Sequence, residues 1–252
     1  MTADPPATEL PATELPERPV SGRVVVRTRP VRLGDVDTRG RLRLDATARY
    51  LQDIATDDVN DARLEDTFGW VVRRTLIEVR RAAALAEQLE LATFCSGSGR
   101  SWAERRTSIT GDRGASIETV SLWIRIDPTS GRPTALGDEF LGTYGPSAGG
   151  RRVSSRLQLP RPPADAERGP WPIRRVDLDP LHHVNNAVHW AIVEETLPDG
   201  PRRGRGEVEY LAPVDPEVPL DLVTSADATG RRDSWLAADG VVLTAARWTP
   251  AK

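Results

Sequence analysis

The pattern of elements in this chain runs twice, and that restricts its fold more than any other feature. A β-branched strand candidate, "RVVVRTRPVRL", leads into "LDATARYLQDIATDDVNDA". There Ala48, Leu51, Ile54, Ala55 and Val59 recur at helical spacing, with Asp45 placed to cap the start. Four strand-like segments follow: "WVVRRTLIEV", "LELATFCSG", "SWAERRTSIT" and "SIETVSLWIRID". In the last, Val120, Leu122, Ile124 and Ile126 alternate onto one face. The order then restarts, with "WPIRRV" as a short strand and "HVNNAVHWAIVEETL" as a helix apolar on most sides. "RGEVEYLAPV", "VPLDLVTSADAT", "RDSWLAAD" and "VVLTAARW" are four more strands. "RLGDVD" at Arg32–Asp37 is echoed by "RRVDLD" at Arg174–Asp179, an offset of 142 residues. An internal duplication accounts for both observations.

An apolar helix must be buried, and the simplest way is for an antiparallel sheet to wrap around it. Two such units predict an α+β chain of tandem hotdog type, two antiparallel sheets each wrapped around a long central helix. The expected boundaries are a tail at 1–20, an N-terminal hotdog at 21–145, a linker at 146–170 and a C-terminal hotdog at 171–252. The tail repeats "PATEL" and is rich in proline and acid, too poor in apolar residues to fold alone. The linker is dense in Gly, Pro, Ser and Arg, and could be ordered by wrapping over a neighbouring surface.

Composition narrows the function classes. A net charge of −3 argues against general nucleic-acid binding. No apolar run approaches the roughly 20 residues of a membrane span. The start has neither a basic stretch nor an apolar core, so a cytoplasmic protein is expected rather than a secreted one. Cys95, the sole cysteine, excludes an internal disulfide and any multi-thiolate metal site.

All three histidines, His182, His183 and His189, fall in "VDLDPLHHVNNAVHW". A metal reading is weak, because they lack zincin spacing and adjacent histidines on a helix point apart. Two readings remain. In one, Asp179 merely shapes a turn and Asn185 merely begins the helix. In the other, free backbone N–H groups at that turn polarise a substrate carbonyl, while Asp179 and His183, four residues apart, orient and deprotonate a water. Asn185 and Asn186 would hold ligands or fix the turn.

"DLDPLHHVNN" resembles the "DLDxNxHVNN" signature of plant and bacterial acyl-ACP thioesterases, which are double hotdogs. "GWVVRRTLIEVRR", "ARYLQDIATDDV" and "EVEYLAPV" extend the likeness over most of the chain after residue 20. The resemblance implies hydrolysis of a fatty acyl thioester, on acyl carrier protein or CoA, with no metal or organic cofactor. It places the catalytic aspartate on Asp179 and the catalytic histidine on His183, and Asn185 is expected to be catalytic with them. Asn186, Leu51, Ile54 and Trp70 are the expected substrate-binding residues, though ordinary core is the plainer expectation for the last three. Three positions depart from the pattern. The family's intervening asparagine falls on Leu181, its later glutamate on Pro213, and a plant cysteine on Val214.

Glu209, Glu194 and Glu195 are the carboxylates that could complete the set, the last two reading more simply as a solvated helix end. In the first half, "TRGR" replaces "PLHH" and Arg41 stands where His183 would be, beside Asp35 and Asp37. That corner is expected to be inert, leaving one active site per chain. A non-catalytic acyl-binding protein is the alternative that Leu181 and Pro213 favour. A hotdog dehydratase fits less well, because no histidine has the expected glycine spacing. Acidic carrier protein calls for a basic dock, for which Arg202–Arg205 and the arginine pairs at 73–74, 80–81, 151–152 and 231–232 are candidates. With a pseudo-dimer already in one chain, monomer and homodimer are both compatible.

Overall fold

The computed structural model describes residues 15–64, 69–198 and 203–251. Residues 1–14 of the expected tail therefore lie outside the described residues, as does Arg202.

The first repeat contains β1 (Val25–Pro30), α1 (Leu44–Ala62), β2 (Trp70–Arg81), β3 (Gln88–Ser98), β4 (Trp102–Gly111) and β5 (Ser116–Arg125). A short helix, α2 (Asp138–Ala148), follows. The second repeat contains β6 (Glu167–Pro170), α3 (Asn186–Glu195), β7 (Gly204–Tyr210), β8 (Asp221–Ala226), β9 (Arg232–Ala238) and β10 (Val241–Pro250). The strands form one antiparallel sheet in the order β1-β3-β4-β5-β2-β7-β10-β9-β8-β6. Read from either edge, equivalent strands of the two repeats appear in the same sequence. The halves are stitched by β2 against β7, from Arg74 opposite Glu209 to Val79 opposite Gly204. The hotdog architecture read from the sequence is observed, with the two expected sheets joined into one through β2 and β7.

Both edge strands end in proline, Pro30 and Pro170. Proline has no N–H to offer a ladder, so edge positions tolerate it. The same rule displaces one prediction: "WPIRRV" is not a strand. The strand lies just before it, at Glu167–Pro170, inside the stretch read as linker, and Arg175–Asp177 forms a single 3-10 turn.

Helices α1 and α3 pack together on one face of the sheet. Their core includes Tyr50, Ile54, Ile77, Ile117, Val208 and Trp190, each 1% exposed or less. Trp190 lies so close to β7 that a Cβ on Gly206 would stand 2.7 Å from its ring. Gly206→Ala should therefore overpack the core and lower stability by about 1–3 kcal/mol, read as a fall in Tm with α-helical content kept.

The alternation of β5 is as predicted, and the face it selects is the one away from the helices. Ser121 and Trp123 line a chamber with α1 and α3, so Val120 and Leu122 point to the opposite side. That outer face carries residues 151–166 as a strap. The Val153 carbonyl accepts from Trp102 Nε1 at 2.9 Å, and the Pro160 carbonyl from Trp235 Nε1 at 2.8 Å. Glu209, 1% exposed, accepts the backbone N–H groups of Gln158 at 2.6 Å and Leu159 at 3.1 Å. Its carboxylate fixes the strap on the face opposite the helices.

Candidate active site

The turn before α3 and the turn before α1 match bond for bond at the 142-residue offset. Asp179 Oδ1 accepts the N–H groups of Leu181 at 2.9 Å and His183 at 3.2 Å. Asp37 Oδ1 accepts those of Arg39 and Arg41, both at 2.9 Å. The backbone bonds Asp179 N to His183 O and Asp37 N to Arg41 O repeat as well, at 2.9 and 2.8 Å. Asp179 thus shapes its turn as Asp37 does. His182 occupies the position of Gly40 and shares its left-handed backbone, φ 59° against 72°. Only glycine takes that conformation without steric cost. His182→Gly should then raise stability by about 0.5–1 kcal/mol, seen as a higher urea midpoint with activity retained.

The corners differ in what meets the aspartate. In the first, Arg41 Nε lies 2.9 Å and Nη2 2.7 Å from Asp37 Oδ2. Burial works the other way, but the hydrogen bonds from Arg41 and Arg39 hold Asp37 below the usual carboxylate range. In the second corner an exposed imidazole, His183, takes the arginine's place.

The three histidines do not converge. His182 and His183 are exposed on the turn, and His189 is buried inside α3. Its Nδ1 lies 3.1 Å from Thr244 Oγ1, and its ring meets Tyr210 edge-on at 5.2 Å. Burial pushes its pKa down to about 4, so it is a neutral core histidine. Among the described residues, no group of three His, Cys, Asp or Glu side chains is placed to hold a metal. No helix among them is long and apolar enough to cross a membrane.

Asn185 is the N-cap of α3. Its Oδ1 accepts from Ala187 N at 2.9 Å and also from Gln52 Nε2 of α1 at 3.0 Å. Asp45, by contrast, does not cap α1. Arg43 is that N-cap, without a side-chain bond, and Asp45 pairs with Arg43 and Arg49. The cap comes from the other repeat, where Glu194 Oε2 accepts from Leu44 N at 2.7 Å. Glu194 and Gln52 are themselves 142 residues apart, so each helix reaches across to the start of the other. Glu194 is therefore no solvated helix end, and burial raises its pKa to about 7. Glu195 is exposed, as expected.

Gln52 leads to the space inside. A chamber of about 320 Å³ lies between the second half of α1, the sheet and α2. Trp70 lines it, together with Phe140 and Tyr144 of α2; the three rings stack in series at 5.0 and 4.8 Å. A smaller chamber of about 20 Å³ lies under the first turn of α3, lined among others by Leu51, Asn186 and Tyr210. Gln52 and Trp123 line both. Ile54 lines neither and is sunk in the core at 1% exposure. Cys95 lines the large chamber, where burial pushes its thiol pKa up. The sequence reading missed α2, Gln52 and Trp123. The pair Phe140 and Tyr144, one helical turn apart behind two acidic residues, was the available signal.

The three departures from the family motif lie on the turn before α3 and on the segment after β7. Leu181 is 55% exposed on the turn. Pro213 is exposed on the segment after β7, beside Val214, whose carbonyl accepts from Val184 N at 3.4 Å. Residues 22–144 match the model of the acyl-ACP thioesterase N-terminal domain. The Mycobacterium tuberculosis protein Rv2001, itself uncharacterized, is 32% identical over 210 residues, 82% of this chain and 84% of that one.

The chain belongs to the acyl-ACP thioesterase family.

The chloroplastic dodecanoyl-[acyl-carrier-protein] hydrolase of Umbellularia californica is 29% identical over 138 residues, 52% of this chain and 36% of that protein. In structure, the 12:0-ACP thioesterase of the same plant aligns with a TM-score of 0.76 at 21% identity, over 92% of this chain and 99% of the other. A putative oleoyl thioesterase of Lactobacillus plantarum gives the same score and coverage at 19% identity. These solved structures share the fold.

Proposed function

We propose that the protein hydrolyses an acyl thioester, carried by acyl carrier protein, to the free acid and the carrier thiol. The observation that supports this best is the chamber of about 320 Å³, which meets the start of α3 through Gln52 and Asn185. Its volume is at the lower end for small-molecule pockets, and its lining is rich in aromatic rings.

The acyl chain lies in the chamber with its thioester carbonyl at the N-terminal end of α3, where backbone dipoles favour developing negative charge. His183 takes a proton as water adds to the carbonyl carbon, and Asp179 orients the turn that carries it. The tetrahedral intermediate collapses, the C–S bond breaks, and the proton passes from His183 to the departing thiolate. Thiol release across a panel of acyl-ACP and acyl-CoA lengths tests the reading. His183→Ala should lower kcat by about 10²-fold or more. Equal turnover in wild type and variant would refute the assignment.

A second reading is acyl binding without chemistry, and exposed Leu181 and Pro213 favour it. Tight binding of acyl-ACP with no thiol release, unchanged in His183→Ala, is its expected signature.

Five of the arginine candidates for a carrier dock are paired with carboxylates of the chain. Arg74 is 8% exposed beside Glu207; Arg80 and Arg205 hold Glu78; Arg151 holds Glu104; Arg231 holds Asp227. The turn before α3 is the better surface. Val176 is 82% exposed there, next to the exposed Arg175, while Arg174 is held by Asp177. Arg175→Glu should raise KM for acyl-ACP severalfold and leave a short acyl-pantetheine unaffected. Equal effects on both substrates would remove the dock from this corner.

A further inference from the structure

The small chamber under α3 is lined by an indole whose N–H has nothing to bind. Trp123 Nε1 is buried without a hydrogen-bond partner, and Trp190 Nε1, also buried, has only the Tyr210 hydroxyl beside it. Both residues line this chamber, with Tyr210 and Asn186. An indole N–H can only donate. Leaving one unpaired in the interior costs about 1–3 kcal/mol, so an orphan of this kind calls for an explanation. Here the orphan and a second indole N–H belong to one chamber. Other hydroxyls around it have partners: Tyr210 donates to the Asn186 carbonyl at 3.2 Å, and Thr75 and Ser121 lie 3.3 Å apart. No carboxylate and no imidazole lines the chamber. A cluster of donors without a base suits an acceptor oxygen and not a nucleophile.

We infer that Trp123 is a side-chain donor to the thioester carbonyl oxygen, which seats at the waist between the two chambers. Trp190 is 0% exposed and lines only the inner chamber, whereas Trp123 is partly buried and lines both. An acyl chain in the large chamber therefore meets Trp123 first. Gln52, the other residue common to both chambers, donates to Asn185, which caps α3. The waist thus adjoins the start of the helix, where backbone N–H groups supply the second half of the polarising field. As the carbonyl becomes an oxyanion, the Trp123 bond strengthens, and no atom of the indole changes its covalent state.

The inference rests on the reading that an acyl thioester fills these chambers, so its test has a readout that needs no turnover. In wild-type protein labelled with ¹⁵N, the Trp123 indole resonance is assigned by its loss in Trp123→Phe. A dethia acyl-CoA, with CH₂ in place of sulfur and the ketone retained, should move that resonance downfield. An S-alkyl CoA thioether lacking the carbonyl should not. In parallel, Trp123→Phe should lower kcat by about 10²-fold with KM little changed. The same shift with both ligands, or no binding of either, overturns the assignment, as does a kcat within twofold of wild type. A ketone-specific shift in a protein that releases no thiol would uphold the carbonyl site while refuting hydrolysis.

Discussion

Asp58→Ala is expected to cost about 3–5 kcal/mol and to lower Tm by roughly 10 °C. Asp58 is 1% exposed on α1 and accepts from Arg23 Nε at 2.6 Å and Arg105 Nη1 at 2.6 Å. Removing the carboxylate strands Arg105 in a place that water reaches poorly and leaves Arg23 with Asp61 as its carboxylate partner. The two arginine charges also flank Tyr144, whose ring centroid is 5.9 Å from the Arg23 and 5.8 Å from the Arg105 guanidinium carbon. Arg105 and Tyr144 both line the large chamber, so the variant should weaken acyl binding as well as stability. Differential scanning calorimetry with and without an acyl ligand measures both losses. A Tm within 2 °C of wild type would show that the cluster adds little to stability.

The second large effect is on the pH dependence of stability, through Glu194. Its folded pKa is raised to about 7, against 4.5 for the free side chain, because burial disfavours the charged form. The folded state therefore holds this proton more tightly than the unfolded chain does. Stability from this group is full below about pH 4.5 and is lost as pH rises through about 7. Solvent reaches part of the side chain, so the loss is on the order of 2 kcal/mol. Glu194→Gln cannot ionise, and its amide oxygen can still accept from Leu44 N. Urea unfolding at pH 5 and pH 8 should show the variant gaining on wild type at the higher pH. Parallel curves for the two proteins would show that Glu194 does not titrate in this window.

That carboxylate also marks where the sequence stops being legible. Helix α1 has no side-chain cap of its own, but nothing in "RLRLD" says that the missing partner comes from the other repeat. Within one repeat, periodicity served well, because burying one face of a helix or strand writes its spacing into the chain. The alternation of β5 was plain for that reason. Its direction was not, because residues 151–166 cover the outer face and give both sides apolar or paired neighbours. Glu209 was read as a candidate acid for the same reason: parity put it on a strand, and only the strap revealed which side.

Helix α2 was lost to its composition. Gly142, Gly145 and Pro146 signal turns, and they outweighed Phe140 and Tyr144. The motif singled out Asp179, His183 and the asparagine pair as candidates, and the structure puts the asparagines against α1 with the aspartate and imidazole on the turn. Gln52 and Trp123 carried no motif, because their importance comes from α1 and β5 meeting α3.

The two-repeat chain has one more consequence. When two identical chains build a symmetric pair, any change at one corner is imposed on its twin. Here Arg41 and His183 are specified by separate codons. One corner can be kept as a permanent ionic rivet while the other is remodelled for a new cargo, and neither alteration constrains the next.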